Sequence, residues 1–406
     1  MTAADLIASA DLEAARHAIA ASARRTPALA SDELSALAGT EVVLKAECLQ
    51  ATGSFKLRGA LAKVAALGER ASAGLITASA GNHGRAVAHA ARAKGIACEV
   101  FMPRDAAASK IAAVERLGAS VHLDGGSVDE ALALALHEAA ATGSSLVHPF
   151  DDLDVIAGQG TLALELLEQV PDLARVVVPL GGGGLTSGIG IALRRAGVDV
   201  ELVGVQARVC APYVRSLAGE RPENEGVSTA TIADGIAIKH PGELTLPLVR
   251  ELLDRVETVS EDEIADAMVF LADRAKLVAE GAGAVAVATL MSGHLSPIAG
   301  ATVAIVSGGN VDSGLLASLL RRRETEEGRR VRIFTRVPDR PGALAELLSL
   351  VAGIRANLVS LEHVREAVAL HVRETGVELT LETRGPEHTD EVLAALHGAG
   401  YEVVPA

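Results

Sequence analysis

The stretch Val176-Val-Val-Pro-Leu-Gly-Gly-Gly-Gly-Leu-Thr-Ser-Gly188 joins an apolar, strand-like run to a helix through four consecutive glycines. A glycine loop lets several backbone N–H groups turn toward one anion, and the start of the following helix adds positive potential. The alternative interpretation is a simple turn between strand and helix. Four glycines in a row lose too much conformational entropy on folding for that role alone. The stretch lacks a Gly-Lys-Ser/Thr ending and a clean dinucleotide fingerprint, which favours a phosphorylated cofactor over ATP or NAD.

Outward from this stretch, apolar runs alternate with helical stretches rich in alanine and leucine. The predicted strands are Leu75–Ala78, Cys98–Met102, Val121–Leu123, Val176–Leu180, Leu202–Gln206 and Val303–Val306. The predicted helices include Arg85–Lys94, Ala106–Leu117, Val128–Ala140 and Gln159–Val170. Strands that alternate with helices are typical of parallel sheets covered by helices. One such series precedes Phe150 and another follows it, so we expect an α/β protein with two open parallel-sheet domains.

Composition narrows the class of protein. The chain has 406 residues, of which 49% are hydrophobic, so it can bury large cores in two or three domains. No apolar run is long enough for a membrane span, and the N-terminal region has no secretory signal. Three scattered cysteines fit neither a disulfide framework nor a zinc site, which favours the reducing cytoplasm. A net charge of -15 and the absence of tryptophan argue against a nucleic-acid partner.

Three further segments carry polar groups at strand ends or helix starts. In Ala51-Thr-Gly-Ser-Phe-Lys-Leu-Arg-Gly-Ala60, Lys56 begins a predicted helix, whose positive end favours a neutral, nucleophilic amine over a charged one. Alone, such a residue would be interpreted as a surface lysine. Ser79-Ala-Gly-Asn-His-Gly84 could bind a carboxylate or simply cap a helix. Ser307-Gly-Gly-Asn-Val311 also follows a strand. Open α/β sheets bind ligands at the carboxyl ends of their strands, where these segments are placed.

The composition changes at Arg321-Arg-Arg-Glu-Thr-Glu-Glu-Gly-Arg-Arg330, which we interpret as a solvated helix end and a linker, 321–330. The elements predicted beyond it are Val331–Val337, Ala343–Ile354, Asn357–Val364, Val377–Glu382, His388–His397 and Tyr401–Val404. Their order, β-α-β-β-α-β, is typical of a ferredoxin-like α+β module, here residues 331–406. With its turn Pro338-Asp-Arg-Pro-Gly342, the module resembles the ACT family of amino-acid-sensing regulatory domains.

In combination, the motifs GSFKLRGA, SAGNHG, GGGGL and SGGN resemble the fold-type II pyridoxal-phosphate enzymes, the tryptophan synthase β-like kind. The resemblance covers about residues 10–320 and includes the order and spacing of the motifs. Leu57 stands where sulfhydrylases and threonine synthases usually have aspartate, which indicates the ammonia-lyase (dehydratase) and serine racemase branch. The resemblance implies a catalytic region 1–320, with a smaller subdomain of about 50–148 inserted between 1–49 and 149–320.

The resemblance also implies the cofactor, pyridoxal 5′-phosphate, and a role for each matching residue. Lys56 would form the Schiff base with the cofactor and act as the catalytic base. Phe55 would flank the ring, Asn82 would bond its hydroxyl, and the Ser307 hydroxyl would meet its pyridine nitrogen. The implied phosphate cradle consists of Gly181, Gly182, Gly183, Gly184 and Leu185. The implied substrate-binding residues are Ser79, Ala80, Gly81, Asn82, His83 and Gly235, with Asp234-Gly-Ile-Ala237 as a substrate-side loop and Glu280 as an acidic residue near the ring.

Two departures from the branch change the expected chemistry. Racemases have a serine at the position of Ala80, and a methyl group cannot move a proton, so racemisation is disfavoured. The metal-binding acid of racemases corresponds to Gln206 here, so no metal-ligating residue is expected, although a monovalent cation on loop carbonyls stays open. The implied reaction is the conversion of L-threonine to 2-oxobutanoate and ammonia. An ammonia-lyase for L-serine or another β-hydroxy amino acid is the alternative, and a non-catalytic amino-acid sensor is a rival from another class.

The C-terminal module is expected to regulate the enzyme. Its turn, with Asp339 and Gly342, precedes a helix start that could bind a carboxylate, and Asn357 could meet the same ligand. Resemblance to ACT domains implies pairing of modules, and so a homo-oligomer, a dimer or tetramer. Isoleucine or valine is the most economical effector. A purely structural module is the alternative.

Overall fold

The computed structural model describes residues 1–220, 230–365 and 373–405. The described strands are β1 (Ala28–Ala30), β2 (Glu41–Lys45), β3 (Leu75–Ala78), β4 (Cys98–Met102), β5 (Ser120–Leu123), β6 (Ser145–Leu146), β7 (Leu173–Pro179), β8 (Glu201–Ala207), β9 (Arg255–Val259), β10 (Ala301–Ile305), β11 (Arg330–Pro338), β12 (Asn357–Val364), β13 (Glu374–Glu382) and β14 (Val404–Pro405). The described α helices are α1 (Ala3–Ser9), α2 (Leu12–Ile19), α3 (Asp32–Ala38), α4 (Lys56–Leu67), α5 (Asn82–Lys94), α6 (Ala108–Glu115), α7 (Val128–Thr142), α8 (Leu153–Gln169), α9 (Gly184–Ala196), α10 (Pro212–Leu217), α11 (Thr245–Leu252), α12 (Glu261–Asp273), α13 (Gly281–Met291), α14 (Ser313–Glu326), α15 (Ala343–Gly353) and α16 (Pro386–Gly398). Short 3₁₀ turns occupy Glu47–Leu49, Gly68–Ala73 and Asp234–Ile236. The chain divides into two units, Met1–Asp312 and Ser313–Ala406.

The larger sheet of the first unit has the order β1-β2-β10-β7-β8-β9. Its strands pair in parallel except for β1, which runs antiparallel at the edge. Every residue of β10 is buried, as are the last five of β7, because helices cover both faces of a parallel sheet. This continuous burial explains why both strands are unbroken apolar runs in the sequence.

The smaller sheet has the order β5-β4-β3-β6, and all its strands are parallel. Its strands lie within residues 75–146, between β2 and β7 of the larger sheet along the chain. The two parallel sheets, each with its connecting helices, confirm the predicted α/β class. Strands β1, β2, β6 and β9 were not predicted; β9 is Arg-Val-Glu-Thr-Val, a half-buried edge strand without a continuous apolar run.

The functional segments of the first unit lie where helices begin. The helices α4, α5, α9 and α13 begin at Lys56, Asn82, Gly184 and Gly281. The loops before α5 and α9 follow strands, the loop before α4 follows the 3₁₀ turn at Glu47–Leu49, and the loop before α13 follows α12. The first turn of a helix leaves N–H groups without intrahelical acceptors. Four such helix starts therefore supply backbone donors to the space between the two sheets.

The second unit contains an antiparallel sheet with the order β12-β13-β11-β14. Helices α15 and α16 pack on it around buried apolar residues that include Ile333, Leu347, Leu379 and Val392. The observed order from β11 to β14 is the β-α-β-β-α-β order of a ferredoxin-like module. The region predicted as a linker is helical as far as Glu326, because α14 extends from Ser313 and is supported by ion pairs such as Arg322–Glu326.

Within the described residues, no helix is both long and apolar enough to cross a membrane.

Candidate active site

Lys56 begins helix α4, and its amine lies inside the first unit. Nζ donates a hydrogen bond to the backbone oxygen of Pro149 at 2.7 Å and lies 5.3 Å from the centre of the Phe55 ring. Burial lowers the pKa of Lys56 to about 8, although the carboxylate of Glu280 acts in the opposite direction. An amine with such a pKa is partly neutral near neutral pH, as a nucleophile or a base must be.

The four glycines Gly181–Gly184 connect β7 to α9 and leave no room for side chains. A Cβ atom on Gly182 would lie 2.1 Å from Cγ of Phe150, and one on Gly183 would lie 2.3 Å from the hydroxyl oxygen of Tyr213. Gly183 also has a φ of 87°, in the left-handed region that glycine adopts without strain. The backbone of this loop is therefore bare, and its N–H groups can approach a ligand closely.

The residues around this loop fit a phosphorylated cofactor. The first turn of α9 adds free N–H groups and the positive end of the helix dipole. The hydroxyls of Thr186 and Ser187, in the same turn, are buried and have no hydrogen-bond partner among the described residues. Buried polar atoms without partners indicate a ligand or water that completes them. A phosphate at the start of α9 would meet these donors, so we interpret the loop as a phosphate cradle.

A hydrogen-bonded chain of polar side chains lies beside Lys56. The Asn82 amide donates to Glu280 at 2.5 Å, and Asn310 donates to the Asn82 side-chain oxygen at 2.6 Å. Arg85 in turn donates to the Asn310 oxygen. These bonds fix the orientation of Asn82 at the first position of α5. An oriented amide at this place can bond the ring hydroxyl of a cofactor, the role that the sequence implied.

Glu280 precedes α13 and is buried near Gly235, Asn82 and Gly308. Burial and the nearby Asp234 carboxylate together raise the pKa of Glu280 to about 7, against the lowering effect of the Asn82 hydrogen bond. The side chain is therefore half protonated near neutral pH and can hold or release a proton there. Pairs of groups whose pKa values converge on neutrality are typical of active sites.

Ser307 follows β10 and is buried. Its hydroxyl donates weakly, at 3.3 Å, to the backbone oxygen of Ala282, and its own carbonyl accepts the N–H of Phe55 at 3.0 Å. The second bond ties the residue before Lys56 to the end of the larger sheet. Ser307 thus presents a neutral hydroxyl to the cavity that Lys56 and the glycine loop share.

The segment Ser79–Gly84 forms the start of α5, on the smaller-sheet side of the cleft. The Ser79 hydroxyl oxygen accepts the N–H of Gly81 at 3.0 Å, which leaves the hydroxyl proton able to donate to a ligand. Ala80 and Gly81 line the open cleft beside Lys56. Backbone N–H groups of the first helical turn point toward the same opening, so a carboxylate is the ligand that this segment suits.

His83 lines the cleft with a ring that is neutral and partly engaged. Its ring is buried, and Nε2 lies 3.0 Å from the Val147 backbone oxygen, to which it donates as the neutral ring. Burial, with Lys56 nearby, lowers the pKa of His83 to about 3, so the ring carries no charge for a carboxylate. The side chain joins α5 to the end of the smaller sheet through Nε2, whereas the ring Nδ1 has no hydrogen-bond partner among the described residues. Nδ1 and the backbone N–H of His83 are therefore the groups that remain for a ligand.

The 3₁₀ turn Asp234–Ile236 closes the cleft from the larger-sheet side. Asp234 forms an ion pair with Lys110 of α6, which belongs to the smaller-sheet side. Gly235 lies beside Ala282 and Glu280, and a Cβ atom there would be 2.9 Å from the Ala282 methyl carbon. The cleft therefore has one ion pair across its opening, next to the predicted substrate positions.

The structure brings nearly all of the predicted catalytic-region residues to one cleft. Its inner part is lined by Phe55, Lys56, Asn82, Phe150, Gly181, Gly182, Gly183, Gly184, Leu185, Gly235, Glu280 and Ser307. Its open part is lined by Ser79, Ala80, Gly81, His83, Arg85, Lys110, Asp234 and Asn310, together with several of the inner residues. The sequence interpretation missed Phe150, Arg85, Lys110 and Asn310. Phe150 could have been suspected, since it follows β6 as the other site segments follow their strands.

Gln206, at the position of a metal-binding acid in racemases, forms hydrogen bonds through both polar atoms of its side-chain amide. Its amide N–H donates to the Leu180 oxygen at 3.1 Å, and its oxygen accepts the N–H groups of Tyr213 and Val214. These bonds hold the start of α10 against β8. In the described part of the chain, no group of three or more His, Cys, Asp or Glu side chains is arranged to bind a metal.

The predicted regulatory residues of the second unit do not meet within one copy of that unit. Gly342, with a φ of 94°, precedes α15, and Asp339 lies in the turn after β11. Asn357 lies opposite Glu382 of β13 and donates a side-chain hydrogen bond to it. The turn follows Pro338, which lies opposite Glu374 at the other end of β13. Eight residues of β13 separate these pairs, roughly 26 Å at the strand rise of ~3.3 Å. Within one unit Asn357 and the turn thus lie far apart, because α15 returns the chain to the opposite end of the sheet, and the predicted effector contact of Asn357 stays a prediction for paired modules.

Comparison with known proteins agrees with this site. Residues 19–308 match the family described as pyridoxal-phosphate dependent enzyme. The chain is 45% identical over 396 residues to an L-threonine ammonia-lyase of Thermotoga maritima, a match that covers 97% of this chain and 98% of the relative. Among solved structures, maize serine racemase has a TM-score of 0.71 and 34% identity, covering 79% of this chain and 99% of that one. The processed form of threonine deaminase isoform 2 from Solanum lycopersicum has a TM-score of 0.69 and 33% identity, covering 77% of this chain and 88% of that one.

The chain belongs to the family of pyridoxal-phosphate-dependent enzymes, with the fold-type II architecture. Pyridoxal phosphate is its cofactor, as the bare glycine loop and the buried lysine amine independently indicate.

Proposed function

We propose that this chain is an L-threonine ammonia-lyase, which converts L-threonine to 2-oxobutanoate and ammonia. The observation that carries the proposal is the buried, partly neutral amine of Lys56 beside the glycine cradle, in a cleft that is also lined by Ala80, which has no proton to donate. The likeness to a threonine ammonia-lyase over almost the whole chain supports the substrate. Overall shape does not distinguish this activity from racemisation, because a serine racemase and a threonine deaminase match about equally well.

Several side chains of the cleft would hold the cofactor. The glycine loop and the hydroxyls of Thr186 and Ser187 would take its phosphate, and Phe55 and Phe150 would flank its ring. Asn82, oriented by its two hydrogen bonds, would take the ring hydroxyl. When bound, pyridoxal phosphate supplies a conjugated ring that accepts the electron pair of a broken bond at the substrate α-carbon. Ser307, a neutral hydroxyl, leaves the pyridine nitrogen largely unprotonated and so suits elimination.

Lys56 would move the proton of the substrate α-carbon. The lowered pKa of its amine keeps a fraction of it neutral and so able to accept that proton. A general base is most effective when its pKa lies near the working pH. The backbone oxygen of Pro149, 2.7 Å from Nζ, limits where the amine can point. The same amine can return the proton later, so one residue can serve both steps.

The start of α5 would bind the substrate carboxylate. The Ser79 hydroxyl and the backbone N–H groups of Asn82 and His83 provide neutral donors there, and the positive end of the helix adds to them. Holding the carboxylate on this helix places the α-carbon toward Lys56, which lines the same cleft. Positioning of this kind lowers the entropic part of the barrier.

Two alternatives stand beside threonine as substrate. L-serine carries the same leaving group with one methyl fewer, a difference worth only ~1–3 kcal/mol in a pocket. Serine racemisation needs a second proton donor on the opposite face of the substrate, and Ala80 has none. L-serine is therefore a poorer substrate that is also deaminated.

A panel of β-hydroxy amino acids tests the proposal most directly. Keto-acid release would be followed at steady state for L-threonine, L-serine, their D-enantiomers and L-allothreonine. The proposed function predicts the highest kcat/KM for L-threonine and no turnover of D-threonine. A higher kcat/KM for another member of the panel would reassign the substrate, and no keto acid from any of them would leave the sensor alternative.

Further parts of the proposal concern the setting of the enzyme. A regulatory amino acid, isoleucine or valine, would act through residues 331–406, and the chain would work as a homo-oligomer in the cytoplasm. The ferredoxin-like order of β11–β14 supports a regulatory module of the ACT kind. The buried state of Cys48, Cys98 and Cys210 as free thiols is compatible with a reducing compartment.

A further inference from the structure

Four charged side chains form a network in the interior of the first unit. Arg58, Glu47 and Lys45 are fully buried, and Glu165 is nearly so. The guanidinium of Arg58 donates twice to Glu47, at 2.8 and 2.9 Å, and once to Glu165 at 2.7 Å. Lys45 donates to the other oxygen of Glu165 at 2.6 Å. Two cations and two anions thus neutralise one another, and of the four side chains Glu165, 17% exposed, is the one that reaches solvent.

The network has a definite place relative to the catalytic lysine. Arg58 lies two residues after Lys56, in the first turn of α4. Glu47 belongs to the 3₁₀ turn Glu47–Leu49, after β2 of the larger sheet, and Glu165 belongs to α8. The planar, forked guanidinium of Arg58 (its fork, below) therefore joins the first turn of α4 to two other elements. No residue of the network lines the cleft.

Close contact with α8 extends from the same turn. The N–H of Gly59 donates to the side-chain oxygen of Gln159 at 3.2 Å, and a Cβ atom on Gly158 would lie 2.6 Å from the Gly59 Cα atom. The backbones of α4 and α8 thus touch at the residue next to Arg58. A small rotation of α4 at this contact would displace the side chain of Lys56, three residues before Gly59 on the same helix.

Stability alone is a weak reason for such a network. Burial of two ion pairs removes four charged groups from water, and apolar residues of similar volume often serve stability as well or better. A guanidinium fixes direction as well as charge, because its planar fork matches a carboxylate with two parallel bonds, which an ammonium cannot do. Although burial acts against it, the Arg58 guanidinium keeps the pKa of Glu47 below its ordinary value, so the pair stays charged.

We propose that Arg58 is a positioning residue for Lys56: its fork to Glu47 and Glu165 fixes the first turn of α4, so that Nζ of Lys56 is held at Pro149 and aimed into the cofactor cleft. This inference rests on the proposed function, in which Lys56 carries the cofactor. It predicts that loss of the fork alters the chemistry at Lys56 more than it alters substrate binding.

The test compares Arg58→Lys with Lys45→Met in the full-length holoenzyme. Arg58→Lys keeps the positive charge but loses the forked guanidinium, and it lies on the same helix as Lys56. Lys45→Met is the matched control, since Lys45 is equally buried and shares Glu165 but lies on β2. Urea unfolding measures the stability loss of each variant. Glu165→Gln, which weakens one arm of the fork at a less buried site, replaces Arg58→Lys if that variant does not fold.

The positioning role predicts that Arg58→Lys lowers kcat per bound cofactor by about tenfold to a hundredfold, as small misplacements of a reacting group do, with KM little changed. The pH dependence of the absorbance band of the lysine-bound cofactor should also change, and this measurement does not need turnover. Lys45→Met should lose similar stability yet keep the kcat and the band of the wild type. Glu165→Gln should show the same pattern as Arg58→Lys to a smaller degree.

Borohydride reduction followed by peptide mapping separates the two possible failures. Labelling of a lysine other than Lys56 in the wild type would overturn the proposed function itself. With Lys56 labelled, equal kcat and equal spectra of Arg58→Lys and Lys45→Met would overturn the positioning role alone, because the network would then act only on stability.

Discussion

The amine of Lys56 is the group on which the proposed chemistry depends. Lys56→Ala should abolish keto-acid release and the visible absorbance band, because no other side chain is expected to bond the cofactor covalently. Lys63→Ala is a suitable control: Lys63 lies on the same helix, in ion pairs with Asp152 and Asp154. Steady-state kinetics and absorbance spectra measure both variants. Activity of Lys56→Ala at even about a hundredth of the wild-type rate would contradict the assignment.

The carboxyl group of Glu280 should make stability depend on pH. Its pKa is raised from 4.5 to about 7, so between these values the folded protein holds a proton that the unfolded chain has released. The free energy of unfolding therefore falls as pH rises from 4.5 to 7, by about 3 kcal/mol from this group. Glu280→Gln keeps an oxygen for the Asn82 amide and cannot ionise.

Urea unfolding of the apoprotein at pH 5, 6, 7 and 8 compares the two chains. Relative to Glu280→Gln, the wild type should lose stability up to pH 7 and change little beyond it. Lys56, with a pKa of about 8 that the Glu280 carboxylate helps to raise, titrates mainly above pH 7, so the decisive comparison is between pH 5 and 7. Parallel stability curves for the two proteins over this whole range would show that Glu280 keeps its ordinary pKa.

The methyl group of Ala80 should make the enzyme a lyase without racemase activity. Incubation with L-serine should yield pyruvate and ammonia, with D-serine formed at less than about a hundredth of that rate, because no side chain at position 80 can protonate the second face. Chiral chromatography of the reaction mixture measures both products. D-serine formation at a rate comparable with elimination would identify another proton donor.

At the scale of single elements, the glycine loop between β7 and α9 should tolerate no side chain. Gly182→Ala would place a methyl group 2.1 Å from the Phe150 ring. The ring or the loop must then move, and we expect cofactor affinity to fall by about tenfold or more, since interiors are close-packed. Gly353→Ala, where a Cβ atom meets nothing within 4 Å, is the control. Fluorescence titration of each apoprotein with pyridoxal phosphate measures the affinity; equal affinities would contradict a closely fitted loop.

The elements differ in how well the sequence predicts them, for physical reasons. Leu75–Ala78 and Cys98–Met102 have the predicted bounds, because strands covered on both faces are continuous apolar runs between turns. Strand β9 escaped prediction because an exposed edge tolerates Arg255 and Glu257. Helix α14 continues past the predicted end of the catalytic region because arginine and glutamate at i and i+4 support a helix as well as a solvated linker.

The site was predictable where a residue's chemistry depends on its own backbone position. Lys56, Asn82 and the glycines mark helix starts or bare loops, and these features are local in sequence. Arg58 and Asn310 carry no such local mark, because their importance comes from partners more than a hundred residues away, such as Glu165 and Asn82. The ring contact of His83 is invisible for the same reason: only the fold shows that its Nε2 bonds Val147.

At the scale of the whole molecule, the second unit should make catalysis responsive to an amino acid. Gly342→Asp would set an anion at the start of α15, where an effector carboxylate is proposed to bind, and should abolish the response while leaving basal turnover intact. Gly400→Asp is the control, because Gly400 has a similar left-handed φ, 88° against 94°, and open space around it. Deletion of residues 331–406 should likewise keep turnover and lose the response.

The measurement is the threonine concentration for half-maximal rate, with and without isoleucine or valine. A coupling free energy of ~1–3 kcal/mol would shift this concentration about 5- to 150-fold in the wild type and in Gly400→Asp. A wild type that responds to no proteinogenic amino acid would show that residues 331–406 have only a structural role.

The position of β10 in the larger sheet bears on how the protein is made. This strand lies between β2 and β7, yet it is the last strand of the first unit to leave the ribosome. The smaller sheet is complete in the nascent chain once residue 146 has emerged, and a further 159 residues must follow before residue 305 does, from 305 − 146. At about 5–20 residues per second this takes roughly 8–32 seconds. Until β10 emerges, the edge of β2 and, once it has been made, the edge of β7 stay unpaired and invite aggregation. Newly made chains should therefore depend on chaperones, and the cofactor can be loaded only after synthesis has passed Ser307.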